Sequence, residues 1–159
     1  MKFADYEIGL LALCCWREAA IDGSAGMRAV ANVVRNRVNH KSFPDTFAGV
    51  ICQKNQFSAM TFKGDLMTVK WPAATDGSFA QALDIAEDVY ANPASPDSTG
   101  GALFYRNPAT ATSKWYEQNV AQNPQYRITA TVGHHVFHGP APVPDGYDPA
   151  LWGEAPKYD

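Results

Sequence analysis

Two apolar stripes with helical spacing, one directly after the other, constrain the fold of this chain more than any other feature. Residues 5–21 and 24–40 each place apolar side chains three or four positions apart, which predicts two consecutive amphipathic helices. The first stripe comprises Leu11, Cys14, Cys15, Glu18 and Asp22, and the second comprises Met27, Val30, Ala31, Val34 and Val38. Each stripe must be buried against another element. The carboxyl group of Glu18 is therefore expected in a buried position.

The rest of the chain predicts one more helix and a small sheet. A third helix is expected over residues 78–92, just before Pro93. Segments rich in β-branched and aromatic residues favour short antiparallel strands. They are residues 102–105, 128–132 and 135–137. Proline and glycine break up residues 41–78, which predicts a loop with one short helix that could line a groove. The predicted fold class is α+β and helix-dominated.

Length and composition favour one domain followed by a tail. A chain of 159 residues, 46% hydrophobic and 18% charged, is typical of one compact domain, which we place at residues 1–138. Residues 139–159 contain proline and glycine throughout and are predicted to form an acidic tail or strap. Its aromatic residues are expected to pack on the domain. They are Tyr147, Trp152 and Tyr158.

Charge and hydropathy exclude two classes of partner. The tail holds four acidic residues and one basic residue, so residues 1–138 carry 12 of each and offer no basic patch for nucleic acid. No apolar run approaches the roughly 18 residues of a membrane span. The run 8–16 follows Asp5 and Glu7, so we expect a folded helix there and not a signal peptide. The protein is expected to be made in the cytoplasm and to be monomeric.

Glu18 is the first candidate for chemistry. A carboxyl group beside Leu11, Cys14 and Cys15 on an apolar stripe would lose its hydration, which raises the pKa and keeps the group protonated. A structural alternative is an ion pair with a nearby arginine. The arginines in reach by spacing are Arg17, Arg28 and Arg35. Spacing alone leaves both interpretations open.

The second candidate is the loop from Gly101 to Trp115. It mixes aromatic side chains with hydroxyl and amide groups, a combination that binds the faces and edges of sugar rings. Its main members are Tyr105, Asn107 and Trp115. The alternative is that the rings belong to the core and the polar groups form turns. The segment Gln56–Phe57–Ser58 is open to the same two interpretations.

Histidines and cysteines suggest two rival chemistries. His134, His135 and His138 lie too close in sequence to converge on one zinc ion from a single strand, so no metal and no cofactor is predicted. A nucleophile pair of Cys14 or Cys15 with His135 would suit peptide cleavage. The three cysteines, which include Cys52, are instead interpreted as reduced core residues.

Taken in order, several short motifs resemble those of the cell wall hydrolases of the spore-cortex-lytic (SleB/CwlJ) type, which also occur among bacteriophage endolysins. They are Glu18–Ala19, Asn36–Arg37–Val38, Phe43–Pro44, residues 49–51, Gln56–Phe57–Ser58, residues 100–105, residues 107–109, and Gly133, His135 and Phe137. The resemblance runs from about Leu10 to Phe137. The chain departs from the family pattern at residues 21–27, where a second glutamate is usual.

The resemblance implies a lysozyme-like fold and a catalytic glutamate at Glu18. It implies a lytic transglycosylase that cleaves the bond between N-acetylmuramic acid and N-acetylglucosamine in peptidoglycan and forms a 1,6-anhydro ring. A substrate groove is implied at matching positions. They are Gln56, Phe57, Ser58, Tyr105, Asn107, Trp115 and His135.

Three alternatives stay open beside this hypothesis. A hydrolytic muramidase would need a second carboxylate, for which Asp22 is the nearest candidate, although Asp22 or Ser24 is also expected to cap the second helix. A peptidoglycan amidase or endopeptidase would use cysteine–histidine or zinc chemistry. The third is an inactive wall-binding virion protein. We expect a phage endolysin that acts on the cell wall after release.

Overall fold

The structure is a computed structural model that describes residues 2–142. Its α-helices are α1 Phe3–Ala19, α2 Gly23–Val38, α3 Phe47–Ile51, α4 Ser58–Thr61, α5 Gly77–Ala91 and α6 Lys114–Tyr116. Two 3₁₀ turns cover Ala20–Asp22 and Leu66–Val69, and a π-helical turn covers Glu117–Ala121. The strands are β1 Phe104–Arg106, β2 Tyr126–Val132 and β3 His135–Pro140. The predicted fold class, helix-dominated α+β with a small antiparallel sheet, is confirmed.

The two apolar stripes form the core between the three long helices. Leu11, Cys14 and Cys15 of α1 pack against Val30 and Val34 of α2, and all five side chains are fully buried. Helix α5 closes this core with the apolar face that its sequence predicts. All three cysteines are free, as predicted, and Cys14 and Cys15 are buried. The prediction was wrong for Cys52, which is exposed because it lies just past the last turn of α3.

The segment 41–78 is more ordered than its proline and glycine content indicated. It contains α3, α4 and a 3₁₀ turn where one short helix was predicted. Side-chain caps stabilise these turns: Thr46 accepts a hydrogen bond from the amide of Gly49, and Asp65 accepts one from the amide of Met67. Local capping therefore offsets the helix-breaking residues around α3 and the 3₁₀ turn, whereas α4 has no side-chain cap.

The sheet has the order β1-β3-β2 with both pairs antiparallel. Tyr105 of β1 lies opposite Phe137 of β3, and Phe137 packs with Ala102 against Ala29 and Val33 of α2. This contact seats the sheet on the helical layer. Strand β3 continues to Pro140, two residues past the predicted end of the domain.

The predicted tail falls almost wholly outside the described residues, as do its three aromatic side chains Tyr147, Trp152 and Tyr158. Within the described part of the chain, no helix is both long enough and apolar enough to cross a bilayer.

The turn between β2 and β3 packs tightly on the start of α2. Gly133 has a φ of +56°, and a Cβ atom built there would come within 2.7 Å of three atoms of Asp22. Gly101 has a φ of +84° but nothing within 4 Å of such a Cβ. Among the glycines of residues 2–142, only Gly133 has both a backbone conformation and a lack of space that require glycine.

This difference gives a paired prediction for stability. We expect Gly101→Ala to lower the free energy of unfolding by roughly 1–2 kcal/mol because of its positive φ. Gly133→Ala should lower it by a further ~1–3 kcal/mol, since the added methyl group must displace Asp22. Urea unfolding of both variants measures the two losses. Equal losses would contradict the tight packing of the turn on Asp22.

Candidate active site

Glu18 lies in the last turn of α1, and its carboxyl group is held by two donors from distant parts of the chain. The hydroxyl of Tyr105 donates to Oε2 at 2.6 Å, and the backbone amide of Ala59, in the first turn of α4, donates to Oε1 at 3.3 Å. The side chain is partly buried, so the carboxyl group is largely enclosed but not sealed off.

The alternative interpretation of Glu18 as an arginine ion pair is wrong. Among residues 2–142, Arg17 donates to the carbonyl oxygens of Ala59 and Lys70. Arg28 pairs with Asp88 at 2.7 Å, and Arg35 donates to the amide oxygen of Asn32. None of these three guanidinium groups pairs with Glu18.

The surroundings of Glu18 favour its protonated form. Burial raises the pKa of this carboxyl group, and the negative charge of Asp65 raises it further. The hydrogen bonds from Tyr105 and Ala59 and the positive charge of Arg37 act in the opposite direction, but burial is the larger effect and the pKa stays raised. Glu18 therefore keeps its proton to a higher pH than an exposed glutamic acid does.

Tyr105 is fixed in place by the sheet and by its ring neighbours. Its ring stacks on Phe137 with centroids 5.4 Å apart and meets the ring of His135 edge-on at 5.1 Å. Burial raises the pKa of Tyr105 well above its usual range, with the nearby charge of Glu18 as the next cause. The hydroxyl therefore stays a neutral donor aimed at the carboxyl group.

A cavity of about 540 Å³ opens beside this pair, with Tyr105 as part of its wall. Three of the predicted groove residues line it: Gln56, Tyr105 and Trp115. Trp115 is 52% exposed and so is available to a ligand. The other lining residues are Arg37, Lys54, Asn55, Phe104, Ser113 and Tyr116. The mixture of aromatic and polar groups is one that binds carbohydrate.

The other predicted groove residues lie outside the cavity wall. Phe57 is 1% exposed and packs in the core, so its ring is not available to a ligand. The hydroxyl of Ser58 donates to Asp65 at 2.7 Å, and the side chain of Asn107 accepts from the amide of Ala109 in a turn. His135 touches Tyr105 but bonds to Asp22.

Asp22 has partners that differ from those of Glu18. It occupies the N-cap position of α2, as predicted, but its side chain makes no capping hydrogen bond. The carboxylate, 1% exposed, instead accepts the backbone amide of His134 and contacts the rings of His134 and His135. Burial alone would raise the pKa of Asp22, but these hydrogen bonds outweigh it and the pKa is lowered. Asp22 is thus an ionised anchor for the β2–β3 turn.

The structure gives little support to the rival cysteine–histidine and zinc chemistries. The ring of His138 lies 3.0 Å from the hydroxyl of Tyr116 in the interior, away from the histidines that contact Asp22. Burial raises the pKa of both Cys14 and Cys15, so these thiols resist conversion to nucleophilic thiolates. Within the described residues, histidine, cysteine and carboxylate side chains form no group of three placed to hold a metal ion.

Sequence reasoning missed Arg37, which is one of the residues that line the cavity. Its position is seven residues after Val30 and three after Val34, on the buried face of α2. An ionisable residue on an apolar stripe was the signal that identified Glu18, and it applies equally to Arg37.

Comparison with known proteins places this architecture in a family. The family model described as Cell Wall Hydrolase matches residues 22–138, a segment that begins just after Glu18. The spore cortex-lytic enzyme of Oceanobacillus iheyensis is 33% identical over 135 residues, which is 85% of this chain and 42% of that protein. The chain thus spans less than half the length of this curated relative.

Two solved structures are also similar. The catalytic domain of the germination-specific lytic transglycosylase SleB from Bacillus anthracis has a TM-score of 0.63 and 30% identity, covering 86% of this chain and 95% of that one. The catalytic domain of the Bacillus cereus SleB protein has a TM-score of 0.62 and 32% identity, covering 84% and 89%. Fold, cavity and sequence agree, and the chain belongs to the cell wall hydrolase family.

Proposed function

We propose that this protein cleaves the glycan strands of bacterial peptidoglycan as a lytic transglycosylase, with Glu18 as its acid and base. The observation that carries the proposal is the enclosed carboxyl group of Glu18, which accepts hydrogen bonds from Tyr105 and the amide of Ala59 beside an aromatic and polar cavity. The similarity to the catalytic domain of a lytic transglycosylase supports it.

The first chemical step uses the proton that the raised pKa of Glu18 retains. Glu18 donates it to the glycosidic oxygen between N-acetylmuramic acid and N-acetylglucosamine as the bond to C1 breaks. The substrate's own acetamido group stabilises the positive charge that develops at C1. The hydroxyl of Tyr105 and the amide of Ala59 then stabilise the carboxylate that remains.

The second step restores the enzyme. The Glu18 carboxylate takes the proton from the C6 hydroxyl of the muramic acid, whose oxygen attacks C1 and closes a 1,6-anhydro ring. No water is consumed, and one carboxyl group performs both proton transfers. Asp22 is not required, which fits its position as an ionised anchor contacted by two histidines.

A hydrolytic muramidase is the second candidate, and one observation favours it. The charge of Asp65 is close enough to raise the pKa of Glu18, so a second carboxylate lies in the neighbourhood of the first. Asp65 also has structural partners, since it accepts hydrogen bonds from the hydroxyl of Ser58 and the amide of Met67 that hold it in a turn. A retaining hydrolase needs its second carboxylate at roughly 5–5.5 Å from the acid. Transglycosylation needs no second carboxylate near Glu18.

As its biological setting we propose a bacteriophage endolysin that acts as a monomer on the cell wall after release into the envelope. The apolar run 8–16 is part of α1, and it supplies Leu11, Cys14 and Cys15 to the core. That run supports the fold and is therefore unsuited to removal as a leader. An inactive wall-binding protein would have no need of the enclosed acid at Glu18.

The products of peptidoglycan digestion test the proposed reaction. We expect mass spectrometry to find 1,6-anhydro-muramic ends with the wild type and a loss of about 10²–10⁴-fold in their formation with Glu18→Gln, because the proton donor is gone. Reducing muramic ends would instead establish hydrolysis. Cut peptides, or full activity of Glu18→Gln, would overturn the proposal.

Glu7 provides a matched control on the same helix. It is 4% exposed and accepts hydrogen bonds from the amide of Ala48 and the hydroxyl of Tyr90, the same kinds of donor that hold Glu18. Glu7→Gln should therefore reproduce the structural effect of removing a buried carboxylate while anhydro ends still form. Equal loss in both variants would indicate a role for Glu18 in folding alone.

The pH dependence of the rate gives a further prediction. Activity should fall as pH rises through the raised pKa of Glu18, since the acid form is consumed. The bond from Tyr105 lowers that pKa, so Tyr105→Phe should move this alkaline limb to higher pH. Rate measurements across pH test this shift. Tyr90→Phe is the control: it removes a hydrogen-bond partner of Glu7 instead, and it should leave the alkaline fall in activity at the same pH. A limb that stays or moves to lower pH in Tyr105→Phe would contradict the assignment.

A further inference from the structure

Arg37 has an unusual environment for a charged side chain. It is 3% exposed, and its guanidinium carbon lies 5.1 Å from the ring centroids of Phe43 and Phe57 and 5.4 Å from that of Phe104. Its Nε donates to the carbonyl oxygen of Leu103 at 2.7 Å. Nη1 is buried and has no hydrogen-bond partner among the described residues. Three rings and one carbonyl thus hold the group but leave one nitrogen unsatisfied.

The positive charge of Arg37 also lacks a direct counter-charge. In residues 2–142 no carboxylate oxygen comes within 4 Å of its nitrogens. Burial lowers the pKa of Arg37 to about 10, so the group remains a cation at neutral pH. A buried cation without a partner anion is energetically costly, which suggests that a ligand provides the missing charge.

The cavity that Arg37 borders is positively charged. Lys54, an exposed residue, lies in the same wall, and of the lining residues in the described chain none is acidic. Arg17 and Arg35 also leave one nitrogen each unpaired, but neither borders this cavity. A buried guanidinium in the wall, joined there by a lysine, selects an anion.

We infer that this cavity binds a carboxylate carried by the muramic acid residue of the substrate, with Arg37 and Lys54 as its partners. The inference rests on the proposed function and names the part of the glycan that the site recognises. N-acetylglucosamine is uncharged, whereas the lactyl group of muramic acid ends in a carboxyl group. That group is free in peptide-free strands and amide-linked to a stem peptide in others, where the peptide brings carboxylates of its own.

A carboxylate bound by Arg37 and Lys54 would also position the substrate relative to Glu18. Tyr105 lines the cavity and also donates to Glu18, so a muramic acid anchored there lies next to the acid. The two sugars of the repeat differ in charge, so an anion site fixes which of them occupies the position beside Glu18. Arg37 and Lys54 would thereby select the bond that is cleaved.

Binding to Glu18→Gln tests the inference without relying on cleavage. We would measure by calorimetry the Kd for peptide-free glycan oligomers with free carboxyl groups and for the same oligomers converted to methylamides. Neutralisation should weaken binding by about 10- to 100-fold, the range for losing a charged hydrogen bond. Equal affinity for both forms, together with unchanged affinity when the carboxyl groups of peptide-bearing strands are amidated, would overturn the inference, while anhydro products from the wild type would still uphold the proposed function.

Protein variants then assign the effect to the cavity. In the Glu18→Gln background, adding Lys54→Gln should shrink the difference between free and methylamidated glycan, whereas Lys63→Gln, which changes an exposed lysine outside the cavity, should preserve it. Both lysines are exposed, so neither change should impair folding. Arg37→Lys, with its folding checked by thermal unfolding, should shrink the difference as well. An undiminished difference in Lys54→Gln and in folded Arg37→Lys would place the anion elsewhere and contradict the inference.

Strands that carry stem peptides distinguish the two sources of carboxylate. If the lactyl group is the ligand, peptide-bearing strands should bind as weakly as the methylamides. If a peptide carboxylate is the ligand, they should bind tightly and lose affinity when their own carboxyl groups are amidated. Either pattern supports a carboxylate site at Arg37, and affinity unaffected by any of these changes refutes it.

Discussion

The hydrogen bond from Tyr105 to Glu18 joins the two layers of this molecule. Glu18 belongs to the helical core, and Tyr105 belongs to the sheet that packs on α2 through Phe137. A carboxyl group on a buried stripe must find donors, and α1 cannot supply them because its own amides are bonded along the helix. The donors must come from β1 and from α4, so the sheet and the 41–78 segment have to dock where Glu18 requires them.

Two carboxyl groups one helical turn apart acquire opposite properties from their surroundings. Glu18 is enclosed by apolar groups and its pKa is raised, whereas Asp22 is surrounded by donors from His134 and His135 and its pKa is lowered. The first is suited to carry a proton, and the second is suited to anchor a turn as a permanent anion. Arg37 adds a buried cation, and it lines the same cavity as Tyr105, the donor to Glu18.

Helical periodicity in the sequence predicted both the main helices of the fold and the position of the candidate acid, Glu18. The stripe containing Leu11 and Cys14 predicted the burial of Glu18, and the same rule would have identified Arg37 through its spacing from Val30. The donor at Ala59 could not be predicted, since a backbone amide has no residue signature and depends on how α4 docks.

Other failures have a similar cause. Phe57 lies in a motif that suggested substrate contact, but its ring packs on the guanidinium group of Arg37. Asp22 has the identity of a capping residue, yet it bonds to a turn more than a hundred residues later in the chain. Long-range contacts overrode the local preference in both positions.

Carbon-13 NMR titration of the Glu18 carboxyl group, assigned by comparison with Glu18→Gln, tests the account most directly. The account predicts a titration midpoint above the value of about 4.3 for an exposed glutamic acid, because burial outweighs the donors from Tyr105 and Ala59. A midpoint at or below that value would contradict it, because burial would then not raise the pKa of Glu18.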